Sequence, residues 1–279
     1  MNSLITPEQL AAELGAPDLR VADATLLDPA LGRDARAEFE AGHIPAAVFL
    51  DLAELRDTAS PLPNTLPGPE KTASRLGRLG LGDGVRIILY DDSPWRTAAR
   101  AWWLLRSYGF PQVAILDGGL AKWRAEGRPV EGGAPEPRPR HATLNFDPAR
   151  LRTLDQMRSI GETGAEQVVD ARSAARFTGE EPDPHGAEPG HIPGSLNLPY
   201  PRLFNDDGTW KRGEALRTAF DQAGVDLDRP VVTTCGSGVT AAVLAFGLHL
   251  LGVQAALYDG SWSEWGADPS TPKAVGAPR

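Results

Sequence analysis

The sequence predicts an α/β protein of two tandem domains, each with a mainly parallel sheet flanked by helices. Three observations predict this fold: strands alternate with helices, one set of landmarks occurs twice, and 279 residues suffice for two ordinary cores. The Pro/Gly-rich residues 131–139 cannot form a helix or a central strand and indicate a linker. We therefore expect an N-terminal domain over residues 1–138 and a C-terminal domain over residues 139–279.

The first half of the chain alternates helices and strands in a regular order. A capping box predicts the start of the first helix, because Thr6 and Gln9 can exchange hydrogen bonds there. The elements predicted after it are a strand at 19–24, a helix at 70–79, a strand at 85–90, a helix at 96–108, a strand at 112–116 and a short helix that contains Trp123.

The second half repeats this order, beginning with a second capping box at Thr153 and Gln156. Four corresponding pairs are Asp23 with Asp170, His43 with His191, Asp91 with Cys235, and Trp123 with Trp265. The members of these pairs lie 142 to 148 residues apart, which indicates a duplicated domain of about 140 residues. The paired tryptophans are predicted core residues, although seven tryptophans could also line an interaction surface.

Composition and charge exclude several classes of function. The net charge is −9 and neither half is basic, so we expect no binding to nucleic acid or to an anionic membrane. One cysteine excludes intrachain disulfides and fits a reducing compartment. The N-terminus has no signal-peptide pattern, and no apolar stretch approaches the ~20 residues of a membrane span. We therefore expect a cytoplasmic protein.

The single cysteine, Cys235, directly follows a short β-branched strand predicted at 231–234 and precedes an apolar helical segment. Gly236 and Gly238 allow a tight corner whose backbone N–H groups point inward. A helix N-terminus and a ring of amide donors both favour negative charge, and the thiolate is the reactive form of cysteine. A buried cysteine can also be a small hydrophobic residue. Its place between strand, glycine corner and helix favours a nucleophile.

The duplication makes this position more informative. The first repeat has Asp91 where the second has Cys235. Packing gives no reason to exchange a hydrophobic residue for a carboxylate at the end of a strand, whereas loss of chemistry in one copy does. We therefore expect the N-terminal domain to be non-catalytic.

Together these landmarks resemble the rhodanese-type sulfurtransferases, tandem-domain enzymes with the nucleophile in the second domain. The resemblance covers nearly the whole chain. The loop that follows Cys235, consisting of Gly236, Ser237, Gly238, Val239 and Thr240, is similar to that of the 3-mercaptopyruvate sulfurtransferases. Thiosulfate sulfurtransferases typically have Arg-Lys in place of Gly236 and Ser237. The uncharged loop favours a carbon-bound sulfur donor over the thiosulfate dianion.

The resemblance also implies substrate-binding residues. Arg176 matches a family arginine that holds the substrate carboxylate, and a surface salt bridge is the alternative role for it. His185 takes the place of a second substrate arginine of mammalian members. Those members also have an Asp and a His proposed to act with the loop serine. Ala53 and Asn64 occupy the corresponding positions here, so a Ser-His-Asp relay cannot be carried over.

The mechanism that the resemblance implies is transfer of sulfur from 3-mercaptopyruvate through a persulfide on Cys235, with release of pyruvate. A thiol, a thioredoxin-like protein or cyanide accepts the sulfur, and no metal or organic cofactor is required. The hydroxyls of Ser237 and Thr240 could donate to the site, and Thr240 could equally be a helix cap. Alternatives are a thiosulfate sulfurtransferase and a persulfide carrier that uses no small donor.

Three other functions, a cysteine phosphatase, a dinucleotide-binding domain and a metal site, fit the same residues less well. Cysteine phosphatases have an arginine six residues after the cysteine, where this chain has Ala241. Residues 236–241 fit the G-x-G-x-x-A pattern of dinucleotide-binding domains, but they lie too near the C-terminus for the remaining strands and helices. The five histidines show no metal-ligand spacing. His43 and His191 occur in both repeats, which favours structural hydrogen bonds, and His249 is a predicted core histidine.

Overall fold

A computed structural model describes residues 1–277 and divides the chain into two compact units. The N-terminal unit consists of Met1–Thr58, Leu66–Phe146 and Asp206–Thr209. The C-terminal unit consists of Ala59–Thr65, Asp147–Asn205 and the chain from Trp210 onward. The short segment Ala59–Thr65 therefore belongs to the C-terminal unit although it lies in the first half of the sequence.

The N-terminal unit contains one five-stranded parallel sheet and five α-helices. The strands have the order β1-β5-β4-β2-β3, so β4 lies at the centre. They are β1 (Leu4–Ile5), β2 (Leu19–Asp23), β3 (Ala47–Phe49), β4 (Arg86–Tyr90) and β5 (Val113–Leu116). The helices are α1 (Pro7–Glu13), α2 (Ala35–Ala41), α3 (Pro69–Arg78), α4 (Ala98–Ser107) and α5 (Gly119–Ala125).

The C-terminal unit repeats this architecture. Its parallel sheet has the order β6-β10-β9-β7-β8, which is the same order with every strand advanced by one repeat. The strands are β6 (Leu151–Arg152), β7 (Gln167–Asp170), β8 (Leu196–Asn197), β9 (Val231–Thr234) and β10 (Ala255–Tyr258). The helices are α6 (Leu154–Thr163), α7 (Ala174–Thr178), α8 (Gly213–Asp221), α9 (Ala241–Leu250) and α10 (Ser261–Trp265). The predicted fold class is confirmed.

Both capping boxes form as predicted. The Thr6 side chain accepts the backbone N–H of Gln9 while the Gln9 side chain accepts the backbone N–H of Thr6. Thr153 and Gln156 exchange the same two bonds at the start of α6. Each box satisfies N–H groups that the first turn of a helix leaves without a partner.

The centre of each sheet is buried on both faces. Every residue of β9 is buried, as is every residue of α9 up to Leu248, so β9 and α9 cannot shift without disturbing the core. The paired tryptophans Trp123 and Trp265 are core residues, as predicted. His249 is only half-buried on α9, because it lies in the last turn of that helix, which corrects its assignment to the core. Within residues 1–277, no helix is long and apolar enough to cross a membrane.

The Pro/Gly-rich stretch forms neither helix nor regular strand, but Glu131 at its start exchanges two backbone hydrogen bonds with His43, and the residues just after it pack against the N-terminal unit. Arg140 donates its backbone N–H to the carbonyl of Gly77 at 2.9 Å. The carbonyl of His141 accepts the N–H of Asp83 at 2.8 Å and lies against Gly82. A Cβ at residue 82 would lie 2.1 Å from that carbonyl oxygen, so the close approach requires glycine.

Substitution of Gly82 by alanine should therefore lower the free energy of unfolding. We expect a loss of about 1–3 kcal/mol, because the added methyl group forces one backbone away from another in a packed region. The matched control is Gly161→Ala, at an exposed position of α6 where a Cβ would meet nothing within 4 Å. It should stabilise by about 0.5–1 kcal/mol. Denaturant titration measures both, and equal stability of the two variants would contradict the prediction.

Candidate active site

Cys235 lies directly after β9, the central strand of the C-terminal sheet, and six residues before the start of α9. In open parallel sheets, functional groups collect beyond the carboxyl ends of the strands. Cys235 is 2% exposed. The sequence prediction of a cysteine at a buried strand end, followed by a helix, is therefore correct in its geometry.

The thiol of Cys235 faces its own loop. The backbone N–H of Gly238 donates to Sγ at 3.1 Å. Gly238 has φ = 80°, a left-handed conformation that turns the chain back toward the sulfur and that favours glycine. An amide donor aimed at Sγ stabilises negative charge on that atom, as in a thiolate.

The carbonyl groups at the start of the loop are bonded to α10. The N–H of Trp262 donates to the carbonyl of Cys235 at 2.9 Å. Ser263 donates its N–H and its hydroxyl to the carbonyl of Gly236 at 2.8 Å and 2.7 Å. Four loop N–H groups have no acceptor within residues 1–277: those of Gly236, Ser237, Val239 and Thr240. The loop therefore presents donors, as the glycine corner predicted.

Ser261 and Ser263 hold the backbone of Cys235 and Gly236 through hydrogen bonds, and neither serine was identified from the sequence. Ser261 has φ = 51°, a strained conformation for a residue with a side chain. Its hydroxyl oxygen accepts the N–H of Cys235 at 3.3 Å while its hydrogen is donated to the carbonyl of Tyr258 at 2.8 Å. The supported residues lie 26 and 27 positions away, so no local pattern could have revealed these bonds.

Asn64 orients the loop serine. Its Nδ2 donates to Oγ of Ser237 at 3.1 Å, and both residues belong to the C-terminal unit. Because the oxygen of Ser237 accepts this bond, its own hydrogen is directed to another acceptor. An amide does not titrate, so residue 64 cannot serve as a proton acceptor for Ser237. The sequence identified Asn64 only as a departure from a histidine and did not predict this contact.

Arg176 lies against the loop. It belongs to α7, where Ser173 caps the helix by accepting the Arg176 backbone N–H at 3.3 Å. A Cβ at Gly236 would lie 2.9 Å from Nη2 of Arg176, so the guanidinium covers that glycine. Nη2 also donates to Oδ2 of Asp183 at 2.6 Å, and Nε is buried with no acceptor among the described residues. The ion pair exists, but it faces the loop rather than open solvent.

His185 and Thr240 have less defined environments. The side chain of His185 is exposed, and its backbone N–H donates to Oδ1 of Asp183 at 2.9 Å. A substrate contact by its ring stays a prediction. Thr240 occupies the N-cap position of α9, but its side chain makes no capping hydrogen bond. Thr240 is half-buried, and a contact of its hydroxyl with the donor stays a prediction. No group of three or more His, Cys, Asp or Glu within residues 1–277 could hold a metal ion.

A comparison with family models decides the classification of this architecture. The model of the rhodanese-like domain matches residues 6–126 and again residues 153–268. The chain belongs to the rhodanese family. Cys235 and its loop lie in the second rhodanese-like domain, and Asp91 occupies the corresponding place in the first.

Individual relatives are similar over nearly the whole chain. Human 3-mercaptopyruvate sulfurtransferase is 41% identical over 272 residues, covering 95% of this chain and 92% of the relative. Thiosulfate sulfurtransferase of Cricetulus griseus is 39% identical over 273 residues, with 95% and 92% covered. The crystal structure of the 3-mercaptopyruvate sulfotransferase SseA from Escherichia coli matches with a TM-score of 0.87 and 37% identity, covering 94% of this chain and 99% of that one.

Arg172 has a structural role in the second rhodanese-like domain. Its guanidinium forms a buried ion pair with Asp170, with 2.7 Å between Nη2 and Oδ2. Nη2 also donates to the carbonyl of Gly190 at 2.8 Å, and Cζ lies 4.7 Å from the ring centroid of Trp262. These contacts use the charge of Arg172 internally, which leaves Arg176 as the arginine that the loop meets.

The paired histidines are also structural. Nδ1 of His43 lies 2.7 Å from the carbonyl oxygen of Phe39, and Nδ1 of His191 lies 2.9 Å from that of Phe177. Each imidazole stacks on the same phenylalanine that it bonds to. Burial lowers the pKa of His191, because desolvation disfavours the imidazolium ion. Identical contacts in both rhodanese-like domains explain why both repeats keep a histidine.

In the first rhodanese-like domain, Asp91 accepts hydrogen bonds from the loop that follows β4 and from the start of α4. Oδ2 accepts the N–H of Ala98 at the start of α4 at 2.7 Å, and Oδ1 accepts the N–H of Ser93 at 3.1 Å. In the first domain, the carboxylate of Asp91 therefore accepts hydrogen bonds at the strand end that corresponds to Cys235 in the second domain. Burial raises the pKa of Asp91 to about 6, against the opposing effect of these two donors.

The pKa of Asp91 predicts a pH-dependent stability. Its folded value lies above the ordinary 3.8, so the folded state binds more protons than the unfolded state between about pH 4 and pH 6. The contribution of Asp91 to stability should therefore fall as pH rises through that window, by about 3 kcal/mol at most. Urea unfolding at several pH values measures it. Asp91→Asn should lack this component, and an unchanged pH dependence in that variant would contradict the assignment.

Proposed function

We propose that the protein is a sulfurtransferase that moves sulfur from 3-mercaptopyruvate to a thiol or cyanide acceptor through a persulfide on Cys235. The observation that carries the proposal is a single thiol at the end of the central strand, with an amide donor on its sulfur and Arg176 beside its loop. The names of relatives at about 40% identity support the same activity.

In the proposed reaction, the Cys235 thiolate attacks the sulfur of 3-mercaptopyruvate. The S–S bond forms as the C–S bond breaks, and the electron pair of that bond leaves with carbon as the enolate of pyruvate, which then takes up a proton. An acceptor thiolate next attacks the terminal sulfur of the persulfide. The acceptor leaves as its own persulfide, and Cys235 returns as a thiolate. No oxidant, metal or organic cofactor enters this balance.

Each loop residue has a part in this proposal. Arg176 binds the donor carboxylate through N–H groups that its bond to Asp183 leaves over. The hydroxyl of Ser237, whose oxygen accepts from Asn64, donates its hydrogen to the carbonyl oxygen of the donor as that oxygen gains enolate charge. The N–H groups of Gly238 and Val239 stabilise the persulfide. His185 is proposed to assist at the outer edge of the donor site.

The choice of donor follows from charge. Gly236 and Ser237 place no cation next to the thiol, and this favours a donor whose single charge is a carboxylate away from the sulfur. Thiosulfate is the alternative donor, and the Cricetulus griseus relative is named for it. A persulfide carrier without a small donor is the alternative outside enzymes.

The remaining assignments belong to the same proposal. The C-terminal domain, predicted at residues 139–279, is the catalytic one, and the N-terminal domain, predicted at residues 1–138, is a non-catalytic partner; residues 139–146 belong to the N-terminal unit of the structure. The acceptor is a small thiol or a thioredoxin-like protein, and a cytoplasmic location would keep Cys235 reduced between turnovers.

The experiment compares kcat/KM for 3-mercaptopyruvate and for thiosulfate, with a common acceptor, in wild type and in Cys235→Ser. We expect a strong preference for 3-mercaptopyruvate that the substitution abolishes. Preference for thiosulfate would show that cations near the loop outweigh its neutral residues. Absence of turnover with both donors would favour the carrier.

A further inference from the structure

The guanidinium of Arg176, which covers Gly236, has a buried anionic partner. Nη2 of Arg176 lies 2.6 Å from Oδ2 of Asp183, and the Asp183 side chain is 2% exposed against 25% for Arg176. Burial of an ionised carboxylate is costly unless it is paired and hydrogen-bonded. The ion pair with Arg176 therefore compensates the burial of the Asp183 carboxylate, which is not an isolated surface charge.

The local chain holds Asp183 rigidly. Its Oδ1 accepts the N–H of His185, and its carbonyl accepts the N–H of Gly186 at 3.1 Å, so residues 183–186 form a closed turn. Glu181 donates its N–H to the carbonyl of Ala175 at 3.1 Å, which ties the turn back to α7. Both ends of the ion pair thus belong to one compact segment.

The pair directs the guanidinium of Arg176 onto Gly236. The single bond from Nη2 to Oδ2 leaves the other N–H groups unused, including the buried Nε–H that has no acceptor within residues 1–277. An arginine held by one edge and open along the others is oriented to receive a carboxylate. The position of the guanidinium is set by Asp183, because this group has no other hydrogen-bond partner among the described residues.

The ion pair also lowers the net charge beside the loop. Asp183 cancels the charge of Arg176 at longer range, so a donor with one carboxylate gains a directed contact, whereas a dianion gains little from the nearly neutral field. We propose that Asp183 is a positioning residue that aims Arg176 at the donor carboxylate and makes the site select monoanionic over dianionic sulfur donors. This inference depends on the proposed sulfurtransferase function.

The test compares Asp183→Asn with Asp183→Glu, using 3-mercaptopyruvate and thiosulfate with one acceptor. Asparagine keeps the shape but removes the negative charge. The ratio of kcat/KM for thiosulfate to that for 3-mercaptopyruvate should then rise about tenfold, because one uncompensated charge acts on a dianion more than on a monoanion. The rise should shrink at high ionic strength. Glutamate keeps the charge, so the ratio should stay near that of wild type even if both activities fall.

The matched control is Glu181→Gln, an exposed position two residues away that changes the net charge by the same amount. Its donor ratio should be unchanged. Misplacement of Arg176 alone would lower both activities together, so a constant ratio in folded Asp183→Asn would overturn the inference. A wild-type enzyme that uses neither donor would instead refute the proposed function. The two failures are therefore distinguishable.

Discussion

Replacement of Cys235 by serine should abolish sulfur transfer from both donors. We expect kcat/KM to fall by at least about 10⁴-fold, the scale seen when a nucleophile is removed from an enzyme. The serine hydroxyl stays protonated near neutral pH and offers no sulfur on which a persulfide can form. Steady-state kinetics measures the loss. Mass spectrometry after incubation with donor alone should show one added sulfur atom on wild type and none on the variant.

The duplicated fold provides a matched control for this experiment. Asp91→Asn alters the corresponding strand end of the first rhodanese-like domain and should leave donor turnover close to that of wild type. Persistent turnover in Cys235→Ser, or an added sulfur on that variant, would place the reactive group elsewhere. Loss of turnover in Asp91→Asn would contradict the assignment of chemistry to the second domain alone.

Local patterns predicted most of the fold because they repeat. The central strand β4 is largely apolar, β9 is wholly β-branched, and a break follows each; the capping boxes specify their bonds within four residues. The wrong predictions concerned the burial and packing of particular residues, not whether a predicted element is a helix or a strand. His141, just after the linker, packs onto Gly82, and His249 is half-buried, because both outcomes depend on which distant surface covers a residue.

The site was predictable only in part. Cys235 and its glycine corner have a local signature, and Arg176 was identified through resemblance. The bond from Asn64 to Ser237 joins residues 173 positions apart, and nothing in the sequence near either one specifies it. Asp183 lay within a Pro-rich stretch that the sequence alone describes only as a loop. Its importance appears once its carboxylate is found buried against Arg176.

Substitution of Arg176 by glutamine should raise KM for 3-mercaptopyruvate about 100-fold, with a smaller change in kcat. Two hydrogen bonds to a charged carboxylate contribute about 3 kcal/mol, and tenfold in affinity corresponds to about 1.4 kcal/mol. The carboxylate lies away from the reacting sulfur, so these bonds stabilise substrate and transition state alike. Arg176→Lys keeps the charge but loses the fork and should show an intermediate effect. The control Arg202→Gln, at an exposed arginine bonded to Gln222, should leave KM unchanged.

The glutamine variant leaves Asp183 buried without its cation, so its thermal stability should fall as well, as expected when one member of a buried pair is removed. The combined variant Arg176→Gln with Asp183→Asn separates the two effects. Stability should recover, because the uncompensated charge is gone, whereas KM should stay high, because the carboxylate ligand is still missing. Recovery of KM together with stability would show that Arg176 serves only to neutralise Asp183. A high KM in a protein of normal melting temperature would instead assign the donor contact to Arg176.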